Sequence, residues 1–344
     1  MAEIFRVGIV GCGFFAQNHL NSWASLENEG VEIAAVCDLN YDQALAAAKA
    51  FSVPGVYTDM AKMIGSESLD LVDIVTQVQS HQSLVALALD ARLPTVVQKP
   101  FGPSLSSCRT MLDDANQSGT FLAIHENFRF QHPHREIARI LASGQIGTPT
   151  WGRISFRTGY DIYAGQPYLR DEERFILTDV GVHVLDLARV FFGEVRHLGA
   201  ELQHRNPEVH GEDTATLTLR HKSGAVSVVE CTYGSKALPD PFPVTRIEIE
   251  GSEGALRLDG NLAITITSNE KVEIRDADAP LLDWAERPWH VVQESVQATC
   301  QHVLESLRAG KPADISAADN IRTFALTEAA YEAAASGRVI TPAY

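Results

Sequence analysis

Residues 7–16 read Val-Gly-Ile-Val-Gly-Cys-Gly-Phe-Phe-Ala, and this stretch decides the fold of the first part of the chain. An apolar, strand-like run ends at Gly11-x-Gly13-x-x-Ala16, where a helical pattern begins. Gly11 permits a tight turn, Gly13 has no Cβ to hold a ligand away from the backbone, and Ala16 lets the helix pack closely on the strand. The first N–H groups of the helix attract phosphate. The order of strand, glycine turn and helix therefore predicts a dinucleotide-binding site.

The end of the second predicted strand supports the same interpretation. Residues 31–37 have the composition of a buried strand, and Asp38 follows directly. An acidic residue at this place is expected to bind the adenosine ribose hydroxyls and to repel a 2′-phosphate. Leu39 and Asn40 bring no arginine to receive such a phosphate, so we predict NAD rather than NADP. The alternative is that Asp38 merely caps the helix that starts near Tyr41.

The composition is that of an ordinary globular protein. The 344 residues are 45% hydrophobic, and their number suggests two domains. The formal net charge of −16 argues against nucleic acids and anionic membranes as partners. We expect no membrane span, because no apolar stretch of about 18 residues occurs, and no signal peptide, because the chain begins directly with a strand. The five cysteines include no Cys-x-x-Cys pair, which predicts reduced thiols, a cytoplasmic location and no metal site.

The order of predicted elements divides the chain in two. Strands and helices alternate through residues 1–126, which predicts an α/β domain with a doubly wound parallel sheet, the Rossmann arrangement, that binds NAD. In residues 127–344 strand follows strand between a few helices. This pattern predicts an α+β domain on a large open, mainly antiparallel sheet, with a final helix able to pack back toward the first domain. Since an open sheet needs a cover, we expect a homodimer or homotetramer through it.

Four short motifs follow the glycine turn and Asp38. They are Thr76 with His81, Gln98-Lys99-Pro100, Asn127-Phe-Arg129-Phe, and Asp179-x-x-x-His183. In this order, and over nearly the full length, they resemble the Gfo/Idh/MocA oxidoreductase family, which includes inositol, glucose–fructose and various sugar dehydrogenases. The Lys-Pro pair and the Asp-x-x-x-His motif are the most specific of them. The chain departs from the family pattern at Gln98, where a Glu is usual, and at Gln77 and Val78, which replace a Pro and its neighbour.

The resemblance implies a set of residues that contact NAD at the ends of the first domain's strands. They are Gly11, Cys12, Gly13, Phe14, Phe15, Asp38, Thr76, His81, Gln98 and Lys99. The resemblance also implies a sugar or polyol substrate. A sugar hydroxyl both donates and accepts hydrogen bonds, so polar side chains suit it. Besides the catalytic groups, the residues expected to bind it are Asn127, Arg157 and Tyr160.

The reaction of such an enzyme removes a hydride from carbon and a proton from oxygen. The proton needs a base with a pKa near neutral, and His183 is suited to this by residue type. Asp179 lies four residues earlier on the same predicted helix, where i and i+4 share a face. Lys99 follows a parallel strand at the edge where ligands bind, and its ammonium can stabilise charge on the reacting oxygen. The family resemblance makes these three the catalytic and substrate-binding set, with His183 as the base.

Two of the catalytic candidates also have a structural interpretation. A histidine on an amphipathic helix is commonly a core residue, and a lysine after a strand is commonly a solvated end. Asp186, one turn after His183, is a further candidate for a direct role, and its structural interpretation is a helix cap or a partner of Arg189.

The sequence thus predicts an NAD-dependent dehydrogenase that converts an aldose to its lactone or a ring hydroxyl to a ketone. Two other functions stay open. One is a non-catalytic NAD-binding sensor or regulator. The other is a redox-neutral glycosidase that uses bound NAD transiently. The presence of all three catalytic candidates favours the dehydrogenase over the sensor.

Overall fold

The computed structural model describes residues 4–344, which form two compact units. The first contains the residues up to Glu126 together with Val296–Ile321, and the second contains Asn127–Ser295 and Arg322–Tyr344. The predicted second domain, residues 127–344, therefore included a segment that belongs to the first unit. The reason is local pairing. The N–H of Ile124 donates to the carbonyl of Ile315 at 2.9 Å, and Ala123 forms an antiparallel bridge with Ser316.

The first unit is built on six parallel strands. Its elements are β1 Phe5–Val10, α1 Ala16–Ala24, β2 Val31–Cys37, α2 Tyr41–Phe51, β3 Gly55–Tyr57, α3 Met60–Ser66, β4 Leu71–Ile74, α4 His81–Asp90, β5 Thr95–Gln98, α5 Leu105–Ser118 and β6 Leu122–His125. The strand order is β3-β2-β1-β4-β5-β6. The order reverses between β1 and β4, and ligands of such sheets bind at this point, outside the carboxyl ends of the strands. The predicted doubly wound Rossmann sheet is confirmed.

Side-chain caps mark the beginning of α2, α3 and α5 in this unit. The Asn40 side chain accepts hydrogen bonds from the N–H groups of Asp42 and Gln43, and so caps α2. The alternative that Asp38 serves only as this cap is therefore wrong. Asp59 caps α3 and Ser104 caps α5 in the same way, because their oxygens satisfy N–H groups that have no partner within the helix.

The second unit is built on eight strands. Its elements are α6 His132–Ala142, β7 Pro149–Arg157, α7 Val182–Phe192, β8 Val195–Gln203, β9 Thr214–His221, β10 Val226–Thr232, β11 Arg246–Gly251, β12 Gly254–Leu258, β13 Ala263–Ser268, β14 Lys271–Asp276, α8 His290–Arg308, which continues into the first unit, and α9 Ala317–Ser336.

Both units also contain short helical turns. The 3-10 turns are Glu27–Glu29 and Val78–Ser80 in the first unit and Phe128–Phe130, Ile162–Ala164 and Pro167–Arg170 in the second, where Leu177–Gly181 is a π-helical turn.

The strand order of this sheet is β14-β13-β12-β11-β7-β10-β9-β8. The expected mainly antiparallel sheet is confirmed, but it is not a simple meander. β7 lies between two consecutive hairpin runs, antiparallel to β11 and parallel to β10. The sequence pattern also missed β14, because this edge strand is exposed on both faces and shows no alternation of burial.

One face of the eight-stranded sheet forms the core of the second unit. Side chains alternate between buried and exposed along β9 and β11. The buried set packs against apolar side chains of α6, α7 and α9 in one cluster. On β9 and β11 the opposite face carries threonine and charged side chains. Within residues 4–344, no helix is long and apolar enough to cross a membrane.

Candidate active site

The glycine turn after β1 has two glycines with different surroundings. Gly11 has φ +93°, and a Cβ added there would lie 2.3 Å from the carbonyl oxygen of Val75, at the end of β4. At Gly13, by contrast, no described atom lies within 4 Å of an added Cβ. Gly11 is therefore required by the protein itself, whereas Gly13 leaves open space at the start of α1. This is the space that a dinucleotide pyrophosphate needs to approach the backbone.

The start of α1 supplies donors to that space. Within the described chain, no side chain caps this helix, and its first turn contains no acidic residue. No capping side chain therefore competes with an anion for the first N–H groups of this helix. Phe14 is exposed, at 59%, and Phe15 is half-buried with its ring edge-to-face against His19.

Asp38 holds the glycine turn to the end of β2. One of its carboxylate oxygens accepts the N–H of Cys12 at 2.8 Å, and the other accepts the N–H of Asn40 at 2.8 Å. Burial, with the charge of Asp38 and the neighbouring Cys37, raises the pKa of the Cys12 thiol to about 12, so this thiol stays protonated. The Asp38 side chain is only half-buried, which leaves its carboxylate accessible to ribose hydroxyls. Glycine turn, helix start and carboxylate together fit NAD.

His81 joins the loops that follow β4 and β5. Its Nε2 lies 3.1 Å from the carbonyl oxygen of Thr76, and its Nδ1 lies 3.3 Å from that of Phe101. The ring is fully buried, and burial lowers its pKa, so the imidazole is neutral and donates only one of these hydrogen bonds. The Thr76 hydroxyl is paired with that of Ser80 at 2.7 Å. His81 is thus buried between the loops that follow β4 and β5, at the carboxyl ends of the strands, and does not lie at the surface.

Gln98 and Lys99 stand at the carboxyl end of β5. The Gln98 side-chain oxygen accepts the backbone N–H of Lys99 at 2.7 Å, and the amide nitrogen faces His19. Lys99 is half-buried, and the peptide bond between Lys99 and Pro100 is cis. The sequence interpretation missed the buried partners His19 and Asp73. Their only sequence signal is their polar type within apolar segments.

In the second unit, a π-helical turn carries Asp179 and leads directly into α7, which carries His183. We predicted one continuous α-helix here, but Leu177–Gly181 forms a wider turn. Such turns are frequent at functional sites. The His183 ring is stacked on Phe128, with ring centroids 3.9 Å apart and an interplanar angle of 4°. His183 is 4% exposed, so this stacking determines the plane of its ring.

Tyr233, just after β10, is a residue that the sequence interpretation missed. Its hydroxyl donates to a carboxylate oxygen of Asp179 at 3.0 Å. Burial and the charge of Asp179 raise the pKa of Tyr233 well above its usual value, so the phenol keeps its proton for this hydrogen bond. Its ring packs between Phe156 and Phe175. No local pattern signals this role, because it depends on β10 ending beside the π turn.

Three further candidates of the second unit have protein partners. Asn127 is buried and donates to the Ser295 hydroxyl at 2.7 Å. Arg157 lies 3.6 Å from a carboxylate oxygen of Glu230. Tyr160 stacks on an aromatic neighbour, receives a hydrogen bond at its hydroxyl, and borders an open groove of about 570 Å³. All three are therefore held by protein partners, and Tyr160 also borders a groove.

Asp186 has a structural role as a buried hydrogen-bond acceptor. The Arg129 guanidinium binds it with two hydrogen bonds, of 2.8 and 2.6 Å, and the Thr323 hydroxyl donates to it at 2.9 Å. Arg189 lies 3.7 Å away. The Asp186 side chain is fully buried, so these cationic partners are what makes its charge tolerable. The expected pairing with Arg189 is present but is secondary to the pairing with Arg129.

Comparison with known families agrees with both units. Residues 5–126 match the model described as an oxidoreductase family with an NAD-binding Rossmann fold, and residues 134–257 match the GFO/IDH/MocA C-terminal domain. The chain belongs to the Gfo/Idh/MocA family, and its first unit is an NAD-binding domain of an oxidoreductase.

Individual relatives match over nearly the whole chain. A D-apiose dehydrogenase of Rhizobium rhizogenes is 43% identical over 99% of this chain and 98% of its own length. A second D-apiose dehydrogenase, of Paraburkholderia graminis, is 42% identical over 98% of this chain and 89% of its own length.

Solved structures show the same fold. A crystal structure of an oxidoreductase from Agrobacterium radiobacter, in complex with NAD+, L-tartaric acid and magnesium, superposes with a TM-score of 0.96 at 43% identity over 98% of both chains. A levoglucosan dehydrogenase in complex with NADH has a TM-score of 0.87 at 18% identity, covering 99% of this chain and 100% of that one, and shares the fold.

Proposed function

We propose that this protein is an NAD-dependent dehydrogenase that oxidises a hydroxyl group of a sugar, with D-apiose as the first substrate to test. The observation that carries the proposal is the identity of 43% with a D-apiose dehydrogenase along 99% of the chain. The intact glycine turn and the presence of Lys99, Asp179 and His183 support it. An aldose oxidised at its anomeric carbon yields a lactone; a ring hydroxyl yields a ketone.

The roles follow from the chemistry of each side chain. Bound NAD supplies the hydride acceptor. His183, held flat against Phe128, is the base that removes the hydroxyl proton. Lys99 donates a hydrogen bond to the reacting oxygen and stabilises the negative charge that develops there. Asp179, oriented by Tyr233, is the carboxylate that assists this set. Tyr160 is proposed to contact the sugar at the rim of its groove, and Asn127 and Arg157 to shape the site through their protein partners.

On the cofactor side, we propose that Gly13, the start of α1 and Asp38 bind NAD directly. The pyrophosphate takes the open space at Gly13, with Cys12, Phe14 and Phe15 around it. Asp38 accepts hydrogen bonds from the adenosine ribose. His81 acts indirectly, by holding the two loops that carry Thr76 and Lys99.

The test is an assay of the purified protein with NAD and a panel of D-apiose, other aldoses and inositols, followed by NADH absorbance. Sustained NADH formation with at least one sugar is expected, and Lys99→Met and His183→Asn should each reduce kcat by at least about a hundredfold, as expected for loss of an acid–base or charge-stabilising group. Glycoside cleavage without NADH, or NAD binding without turnover of any sugar, would refute the dehydrogenase.

We also propose that a second copy of the chain covers the open face of the eight-stranded sheet. One row crosses this face strand by strand. It comprises Thr218, Val228, Arg153, Glu248, Arg257 and Thr265, all half-buried or exposed. The row crosses six strands and consists of charged side chains of both signs and small side chains. Such a surface suits a partly polar contact between proteins.

A further inference from the structure

A chain of buried polar side chains lies beneath the carboxyl end of β5 in the first unit. Trp23 and His19 come from α1, Asp73 from β4 and Gln98 from β5, and none is more than 7% exposed. The Trp23 indole and the His19 Nδ1 both lie 2.7 Å from the same oxygen of Asp73. The His19 Nε2 lies 2.9 Å from the Gln98 amide nitrogen. The buried chain ends at Lys99, whose backbone N–H donates to Gln98.

The backbone of Lys99 determines how the Gln98 amide is oriented. A peptide N–H can only donate, so the atom that receives it at 2.7 Å is the side-chain oxygen of Gln98. The amide nitrogen of Gln98 must then face His19. Because an amide nitrogen is only a donor, the His19 Nε2 that it meets carries no proton and accepts the hydrogen bond.

The same argument determines the protonation of His19. With Nε2 unprotonated, the ring proton is on Nδ1, where it is donated to Asp73. Burial raises the pKa of Asp73, but the hydrogen bonds that it accepts from the His19 Nδ1–H and the Trp23 indole lower it and favour the carboxylate form. The His125 ring is tilted against that of His19, with ring centroids 4.2 Å apart, and His125 pairs with Gln98 in the β5–β6 register. In this arrangement, His19 is neutral between a carboxylate and an amide.

We propose that Gln98 is a positioning residue that holds the backbone of Lys99 at the end of β5, and that it does so through a neutral His19 in the Nδ1–H tautomer. The buried chain ties α1, β4 and β5 together at the strand end from which Lys99 extends. The inference rests on the proposed function, in which the Lys99 ammonium acts on the reacting oxygen.

A glutamate at position 98 would impose a different charge state on the same geometry. One carboxylate oxygen would still accept the Lys99 N–H, but the other would present a second acceptor to His19. Both ring nitrogens would then face acceptors, so His19 would bind a second proton and lie between two carboxylates. The residue at position 98 therefore selects the charge of His19 while Lys99 keeps its backbone hydrogen bond.

The first test reads the tautomer directly. The full-length protein is labelled with ¹⁵N-histidine, and the His19 ring signals are assigned by their loss in His19→Asn. In the unmutated protein, Nδ1 should have the shift of a protonated nitrogen and Nε2 that of an unprotonated one. In Gln98→Glu both should have protonated shifts. A doubly protonated or Nε2–H ring in the unmutated protein would overturn the inference whatever the activity.

The second test separates positioning from general packing. Gln98→Met removes both hydrogen bonds at similar volume, and should lower kcat by at least about fivefold, a cost near that of one hydrogen bond, while the KM for NAD changes less than about twofold. Gln98→Glu should recover most of the lost kcat. Thr95→Val is the matched control, since it removes one buried hydrogen bond of the same strand, to the carbonyl of Leu93. It should leave kcat unchanged.

Failure of the inference and failure of the proposed function are distinguishable. Equal losses of kcat in Gln98→Met and Thr95→Val, or no recovery in Gln98→Glu, would refute positioning by Gln98. If Lys99→Met keeps full dehydrogenase activity, the proposed role of Lys99 fails, and with it the functional half of the inference. The histidine spectrum would then still decide the tautomer.

Discussion

At the scale of single residues, the two glycines of the turn make separable contributions. Gly11→Ala places a Cβ against the Val75 carbonyl at a positive φ, so it should lower the free energy of unfolding by about 1–3 kcal/mol. Gly13→Ala meets no described atom, and should leave the stability of the NAD-free protein unchanged while weakening NAD binding at least about tenfold. Thermal unfolding and calorimetric titration with NAD measure the two effects. Unweakened NAD binding by Gly13→Ala would contradict the proposed pyrophosphate position.

Tyr233 allows a second prediction at this scale. Tyr233→Phe removes the hydroxyl that donates to Asp179 and keeps the packing between Phe156 and Phe175. We expect kcat to fall about tenfold and the unfolding free energy to fall by about 1–2 kcal/mol, since the lost hydrogen bond is to a charged group.

The matched control for this variant is Tyr331→Phe, which removes a tyrosine hydrogen bond to the carboxylate of Glu212. It should cost similar stability without loss of kcat. An equal fall of kcat in both variants would mean that Tyr233 acts only on stability.

At the scale of elements, the 3-10 turn Phe128–Phe130 and the first turn of α6 hold the aromatic ring on which His183 is stacked. The Nδ1 atom of His134 lies 2.6 Å from the carbonyl oxygen of Phe128, and the Phe128 ring is stacked on that of His183. Burial and the nearby His183 lower the pKa of His134 from 6.5 to about 4. In the unfolded chain His134 therefore binds a proton below about pH 6.5, whereas in the folded protein it binds that proton only below about pH 4.

Stability should fall accordingly in acid. Because of His134, the free energy of unfolding decreases as the pH falls from about 6.5 to about 4, and the total decrease is about 3 kcal/mol. His134→Asn keeps a donor for the Phe128 carbonyl but does not titrate. Urea unfolding from pH 8 to pH 4 should show the unmutated protein losing its advantage over this variant only below about pH 6.5. A constant difference across that range would mean that His134 binds its proton at the same pH in the folded and the unfolded chain, which contradicts the lowered pKa.

The elements themselves were predicted unevenly, for physical reasons. The strand predicted over residues 31–37 has the same bounds in the structure, because it is a short apolar run bounded by turn residues. The π turn was missed because an insertion of one residue leaves the hydrophobic pattern of α7 unchanged. β14 was missed because an edge strand with two exposed faces has no burial to encode.

At the scale of the whole molecule, the open sheet face carries the remaining prediction. Val228 lies within the row that crosses this face, between Thr218 and Arg153. If a second copy covers the face, Val228→Asp should dissociate the assembly to a monomer of 37.6 kDa, because the contact would have to strip the hydration from a new carboxylate. Light scattering after gel filtration measures the mass. Leu281→Asp, at a position already 56% exposed, is the control and should leave the mass unchanged.

A monomeric unmutated protein would refute this mode of assembly. So would a Val228→Asp variant that keeps the mass of the unmutated protein.

The sequence by itself determined the nucleotide-binding unit and its cofactor, because the glycine turn of residues 11–16 and the carboxylate of Asp38 after β2 each belong to a short local segment. It also identified Lys99, Asp179 and His183 as the residues to test, through short motifs. Only the tertiary structure decided which residues support them. Tyr233 reaches Asp179 across 54 positions of the chain, and His19 reaches Gln98 across 79. Such pairings depend on which strand ends beside which helix, and no periodicity of a single segment encodes them.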